Sequence, residues 1–166
     1  MTETAYREFF EQLSQKPIIG HNPTSRLKRF HPYDPDHLTD LSVFNIDITN
    51  FCLLLSRPDL SIPYGAGADE INHPTSFLII RATDGTQADI DLAIAQAKSK
   101  GLSFWAKLRE IQEENLFLFE KVNLSREAFK IENLKGLPDN AAGVDVMFTL
   151  SEKINYSSHL NNSDWE

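Results

Sequence analysis

The chain has 166 residues and is acidic, with 24 Asp and Glu against 16 Lys and Arg and a net charge of −8. That balance repels phosphate backbones and anionic surfaces, so neither nucleic acid nor a membrane is expected as a partner. A hydrophobic content of 41% and a charged content of 24% belong to a folded chain, large enough to bury roughly 70% of its unfolded surface.

One α+β domain is expected over residues 1–155, with a polar tail over 156–166. No run approaches the ~18–20 apolar residues of a membrane-spanning helix. The start, "MTETAYREFFEQLSQK", has neither the basic nor the apolar region of a secretory signal, which points to the cytoplasm. A lone cysteine, Cys52, excludes an intrachain disulfide and fits a reducing compartment. Its aliphatic setting, "NFCLLLS", suits a small core residue better than a nucleophile, which needs a base and an electropositive opening.

In chain order, "TETAYREFFEQLSQKP" spaces Tyr6, Phe9, Phe10 and Leu13 as one helical face, with Thr2 or Thr4 as cap and Pro17 as stop. The segment "IIGHNPTSRLKRF" reads as a connector. Its basic cluster, Arg26, Lys28 and Arg29, is read as a solvated surface segment.

Next comes the densest grouping of polar side chains, "RFHPYDPDHLTD". Asp34-Pro35-Asp36 is a helix-start signal, with an aspartate at the N-cap, proline at the first position and a further acid in the first turn. A helix is expected to about Asn45. The competing reading is a metal or acid–base site built from His31, Asp36, His37 and Asp40, joined by His21 or His73. Its spacing matches no established zinc pattern, so the helix start is preferred. "VFNIDIT" alternates and could be a strand instead, and a break near Thr49-Asn50 is needed either way.

Phe51 to about Ser56 is expected as a strand. Residues 57–75, with three prolines and two glycines, are expected as a long polar loop that could serve a small-ligand module. "GAGADE" within it lacks the strand, the helix and the third glycine of a dinucleotide fingerprint. "SFLIIRATD" is a buried strand.

After it, Ile90, Ile94, Ala97, Gly101, Phe104, Leu108, Ile111 and Asn115 step by four and three, marking a helix over 87–114 widened by Leu102 and Trp105. Such a helix is about 42 Å long at 1.5 Å per residue, and a kink at Gly101 is conceivable. Gly101 within the stripe implies close approach to a sheet. Thr86 and Asp89 resemble a capping box. Asp84, Asp89 and Asp91 lack calcium-loop spacing and read as residues of the helix start. "LFLFEKV" is either a last helical turn or a short strand. "AFKIENL" and "VDVMFTL" alternate around "KGLPDNAAG", which is a hairpin.

The expected architecture is thus a small, mainly antiparallel sheet crossed by one long helix, with additional N-terminal helices. No motif assigns a catalytic, cofactor-binding or metal-ligating residue, and no cofactor is implied. The element order "NFCLLL", "SFLIIRATD", "TQADIDLAIAQAKS" and "LPDNAAGVDVMFTLSEKI", over roughly residues 35–155, resembles phage-derived tail-terminator and tail-completion proteins. The resemblance rests on that order and offers no motif residue to carry over. It implies a sheet-plus-helix subunit that assembles into rings on a phage-like tail, without catalysis.

The favoured expectation is therefore a noncatalytic structural protein with protein partners or self-association through a sheet edge or face. An enzyme or metal protein using the His31–Asp40 cluster, or a ligand module using loop 57–75, is the alternative. "VDVMFTL" has neither lysine nor proline to guard it, and it is the strand expected to offer the edge.

Overall fold

A computed structural model describes residues 1–34, 45–57, 70–115 and 117–153. Among the described residues it is an α+β arrangement, a sheet with both helices on one face. Helix α1 (Glu3–Ser14) is followed by β1 (Phe30–Tyr33), β2 (Cys52–Ser56) and β3 (Glu70–Ala82). The long helix α2 (Gln87–Glu114) then leads into β4 (Val122–Leu134) and β5 (Ala141–Lys153). The five strands form one sheet in the order β1-β2-β3-β5-β4, with β1 and β2 parallel and every other pair antiparallel.

Local chemistry starts and stops these elements as the residue types require. Thr2 caps α1 by accepting from the Ala5 amide at 3.2 Å, and Thr86 caps α2 by accepting from the Asp89 amide at 3.3 Å. The expected capping box at α2 is only half formed. The Asp89 carboxylate turns back to the Asp84 amide (3.0 Å) and to Arg81 (2.6 Å), while Asp84 takes the Thr86 amide at 2.8 Å. Between β4 and β5, Asp139 and Asn140 hold positive φ of 56° and 52°, a conformation these two residue types tolerate better than most.

Both helices cover one face of the sheet. Phe10 of α1 lies 6.2 Å from Phe77 and 6.0 Å from Phe148, ring to ring. Tyr6 is buried and donates to the Ser56 carbonyl at 3.1 Å, and burial pushes its phenol up. From α2, Phe104 meets Phe77 at 5.0 Å, and Trp105 stacks on Phe129 at 4.4 Å and 15°. Burying aromatic area of this kind is the main driving force available to a domain of this size.

The helix α2 runs unbroken through Gly101, over the expected span. Its buried line is Ala93, Ala97, Gly101, Phe104 and Leu108, one step off the expected stripe at the N-terminal end. Small residues lie flush on the strands there, which pushes Ile90 and Ile94 to half-buried flanks. Leu102, expected to widen the stripe, is 48% exposed. Trp105 does widen it, half-buried on Phe129.

Several boundaries differ from expectation. Phe30–Tyr33, read as connector and helix approach, is a parallel edge strand beside β2. The supposed loop 57–75 ends early, because Glu70–Thr75 already pairs with Lys153–Phe148 of β5. Polar residues and Pro74 hid that strand from the alternation of apolar residues. Between Asn45 and Thr49 neither a helix nor a regular strand forms. Ile46 makes a single bridge to Lys28. The rest of the helix expected from Asp34 lies at 35–44, outside the described residues, as do the tail 156–166 and residues 58–69 of the loop.

The largest correction concerns "VDVMFTL". It is part of β5, which lies between β3 and β4 and is paired on both sides, so it offers no edge.

Two glycines are demanded by close approach. A Cβ at Gly143 would lie 1.9 Å from the Ile79 carbonyl oxygen, where the backbones of β5 and β3 crowd. At Gly101 it would lie 2.9 Å from Val146 Cγ2, and Val146 is fully buried.

Replacing the fully buried Leu108 by alanine should cost on the order of 2–5 kcal/mol. A thermal or denaturant melt checks this, and an unchanged midpoint would remove α2 from the core. Gly101→Leu should also destabilise, since overpacking of about 1–3 kcal/mol exceeds a helix-propensity gain of under ~1 kcal/mol. A raised melting midpoint would show that the position tolerates a side chain.

Candidate functional site

The strict alternation of strands sorts side chains between the helix-covered face and the opposite one. On the opposite face the register lines up His31, Leu54, Leu78, Asp145 and Glu132 across all five strands. Beside this row runs a second, with Tyr33 opposite Ser56 in β1 and β2 and Ser76, Met147 and Lys130 aligned across β3, β5 and β4. Ser56 joins the two parts, its hydroxyl donating to the Ser76 carbonyl at 2.7 Å and accepting from the Ser76 amide at 3.0 Å.

The β1–β3 part of this face is apolar, with Cys52, Leu54, Leu78 and Ile80 buried. The β5–β4 part is polar and charged. Asp145 stands directly opposite Glu132, an arrangement that costs energy because like charges oppose across a strand pair. Burial pushes the Asp145 carboxyl up to about 6, Glu132 adds to the rise, and the Ser76 hydroxyl works against it. Its Oδ1 is buried and accepts no hydrogen bond among the described residues. Tyr33 is raised to about 12, first by burial and then by the Asp145 charge. Glu132 forms an ion pair with Lys130 along its own strand, with Lys130 67% and Glu132 48% exposed. Such a row can hold a proton or receive a cationic side chain.

The other candidate residues do not converge. His31 lies on the face away from the helices, where burial lowers its pKa. His73 is five residues along β3 from Leu78 and so on the helix-covered face, about 17 Å away in the strand direction; it is buried and 3.5 Å from Glu152. His21 is also on the helix side, 5.8 Å from the Phe30 ring. It lies 3.3 Å from Glu11 and accepts from the Arg29 amide at 3.3 Å. Burial lowers its pKa while Glu11 raises it. Asp36, His37 and Asp40 lie outside the described residues. Among the described residues, no three metal-ligating side chains gather.

Cys52 is fully buried against the Ile80 carbonyl, and burial pushes its thiol up to about 12, so it is an inert core residue as expected. Of the basic cluster, Arg29 binds Asp47 at 3.0 Å and Lys28 donates to the Pro23 carbonyl at 2.6 Å. Exposed Arg26 lines a shallow cavity of about 390 Å³ with Asn22, Arg29 and Asp47. Asp89 is held low chiefly by the Arg81 guanidinium, and Asp91 accepts from Gln87 at 2.7 Å. These acids organise the start of α2.

The pairing of Asp145 with Glu132 was missed in the sequence, although the hairpin contained the signal. Counting outward from the "LPDN" turn, with Leu134 opposite Gly143, sets Glu132 opposite Asp145.

No protein-family model matches the chain, and no curated protein or solved structure matches it.

A carboxyl whose pKa rises on folding binds its proton more tightly in the folded state. Its stabilising effect is full below its ordinary value of 3.8 and is lost as pH climbs through about 6. Asp145→Asn should therefore gain stability above pH 6.5 and differ little below pH 4. Because the carboxyl is half-buried, solvent screening limits the gain to about 1–2 kcal/mol. Melts across pH check this, and equal gains at both ends would assign the effect to shape rather than charge.

Proposed function

We propose that this chain is a noncatalytic structural or interaction protein, and specifically an assembly component of a phage-like tail, cytoplasmic before it is incorporated. The observation that carries the reading is the outer edge of β4. Val122 pairs there with Leu118 and Phe119, and the Leu124 amide is taken by Gln112, but among the described residues no strand pairs with the outer side of Phe129–Leu134, and unpaired backbone N–H and C=O groups are a template for another chain. The opposite edge is poorly suited, since β1 has four residues and one of them, Pro32, lacks an N–H.

The separation of His21, His31 and His73 between the two faces supports the noncatalytic side of the reading. Net charge of −8 supports a protein partner over nucleic acid. Among the described residues, no helix is long and apolar enough to cross a membrane. Tail resemblance by element order narrows the partner to like subunits or other tail proteins.

Purified protein examined by light scattering, electron microscopy and elemental analysis tests the reading. Assembly into dimers or rings, or tight docking onto a tail protein, without a stoichiometric transition metal is the expected result. One equivalent of zinc or iron, lost when His31 is replaced by alanine, would overturn it in favour of a metal protein.

A further inference from the structure

The edge of β4 has a feature that selects its partner. Its regular part runs from Phe129 to Leu134, because the register with β5 breaks between Leu124 and Phe129. In that stretch Lys130 and Glu132 lie on the face away from the helices, paired with each other and both substantially exposed. Two identical edge strands that pair antiparallel about a two-fold axis perpendicular to the sheet keep their faces aligned, so opposed residues lie on the same face.

With the axis at Ile131, Lys130 of each copy stands opposite Glu132 of the other, twice per interface. Phe129 then stands opposite Asn133, and Ile131 opposite itself. Moving the axis to Lys130 or to Glu132 sets like charges face to face. At Asn133 it sets Glu132 opposite Leu134, and at Phe129 it runs the pairing into the irregular stretch. Opposite charges directly across a strand pair stabilise and like charges destabilise, and within the regular stretch only the axis at Ile131 sets opposite charges face to face.

We propose that a second copy of this chain docks edge to edge on β4, antiparallel, about a two-fold axis at Ile131. The proposal rests on the interaction reading above and names its partner. Glu132 stands beside Asp145, and the second copy's Lys130 extends that row with a cation on the side away from Asp145. The helices leave room for the contact. α2 lies over β5, with β3 and β4 to either side. Three strand spacings, about 14 Å, would therefore separate the two helices, against the 8–10 Å of packed helices.

Sedimentation velocity and light scattering on the full chain, over a wide concentration range at low salt, test this. The protein should show a monomer–dimer equilibrium. Lys130→Glu and Glu132→Lys should each weaken dimerisation by about tenfold or more, since two attractive contacts become repulsive. The double variant K130E/E132K should restore it, with thermal melts confirming that all four proteins are folded. A strict monomer at every concentration overturns the proposal. So does a dimer indifferent to the single exchanges, or a loss that the double exchange fails to rescue. Closed rings of more than two copies would also overturn the two-fold contact while supporting the tail-assembly reading, so the two can fail separately.

Discussion

The pairing of β3 with β5 is the constraint on which the other features rest. Every residue from Glu70 to Ala82 has a partner between Lys153 and Ala141, with no register break. This ladder joins residues far apart in sequence, a large loop-closure cost that only extensive burial offsets. It repays that cost by burying Phe77, Ile79, Val144, Val146, Phe148 and Leu150 on the helix side. It places β5 inside the sheet and β4 outside, and it fixes the surface on which α2 lies. The backbones approach closely enough at Gly143 that no side chain fits there.

Once that register is set, parity decides the chemistry. A strand's period of two sends His73 to the helix side, while Asp145 and Glu132 fall on the other. The polar side chains of the face away from the helices are organised accordingly. Ser56 stands in for a backbone partner to Ser76, and Tyr33 and Asp145 share the electrostatic cost of partial burial. Histidines that a reader of the sequence would combine into one site are thus distributed between two surfaces.

The two sheet edges show how an α+β subunit can limit its partners. Edge β1 is short and carries Pro32, and half of β4 is interrupted by the break after Leu124. What remains open is a six-residue segment with one lysine and one glutamate. Charges at such an edge deter indiscriminate pairing, yet a strand with the inverse order of charges is not deterred. An antiparallel copy of the same strand has that inverse order.

Much of the architecture was legible in the sequence. The α1 face, the α2 span, the sheetward position of Gly101 and the hairpin were all encoded locally, in apolar periodicity, caps and turn residues. Cys52 could be read as a core residue because its neighbours are aliphatic. Other features were decided by tertiary structure. Glu70–Thr75 is polar apart from Ile71 and contains Pro74, so nothing local marks it as strand until β5 pairs with it. The same holds for Phe30–Tyr33, which is a strand only because β2 lies alongside. Which hairpin strand is the edge also could not be read locally, because the insertion of β5 between β3 and β4 depends on contacts distant in sequence. The opposition of Asp145 and Glu132 falls between these cases. Turn counting encodes it, but its energetic meaning depends on how deeply the folded sheet buries the pair.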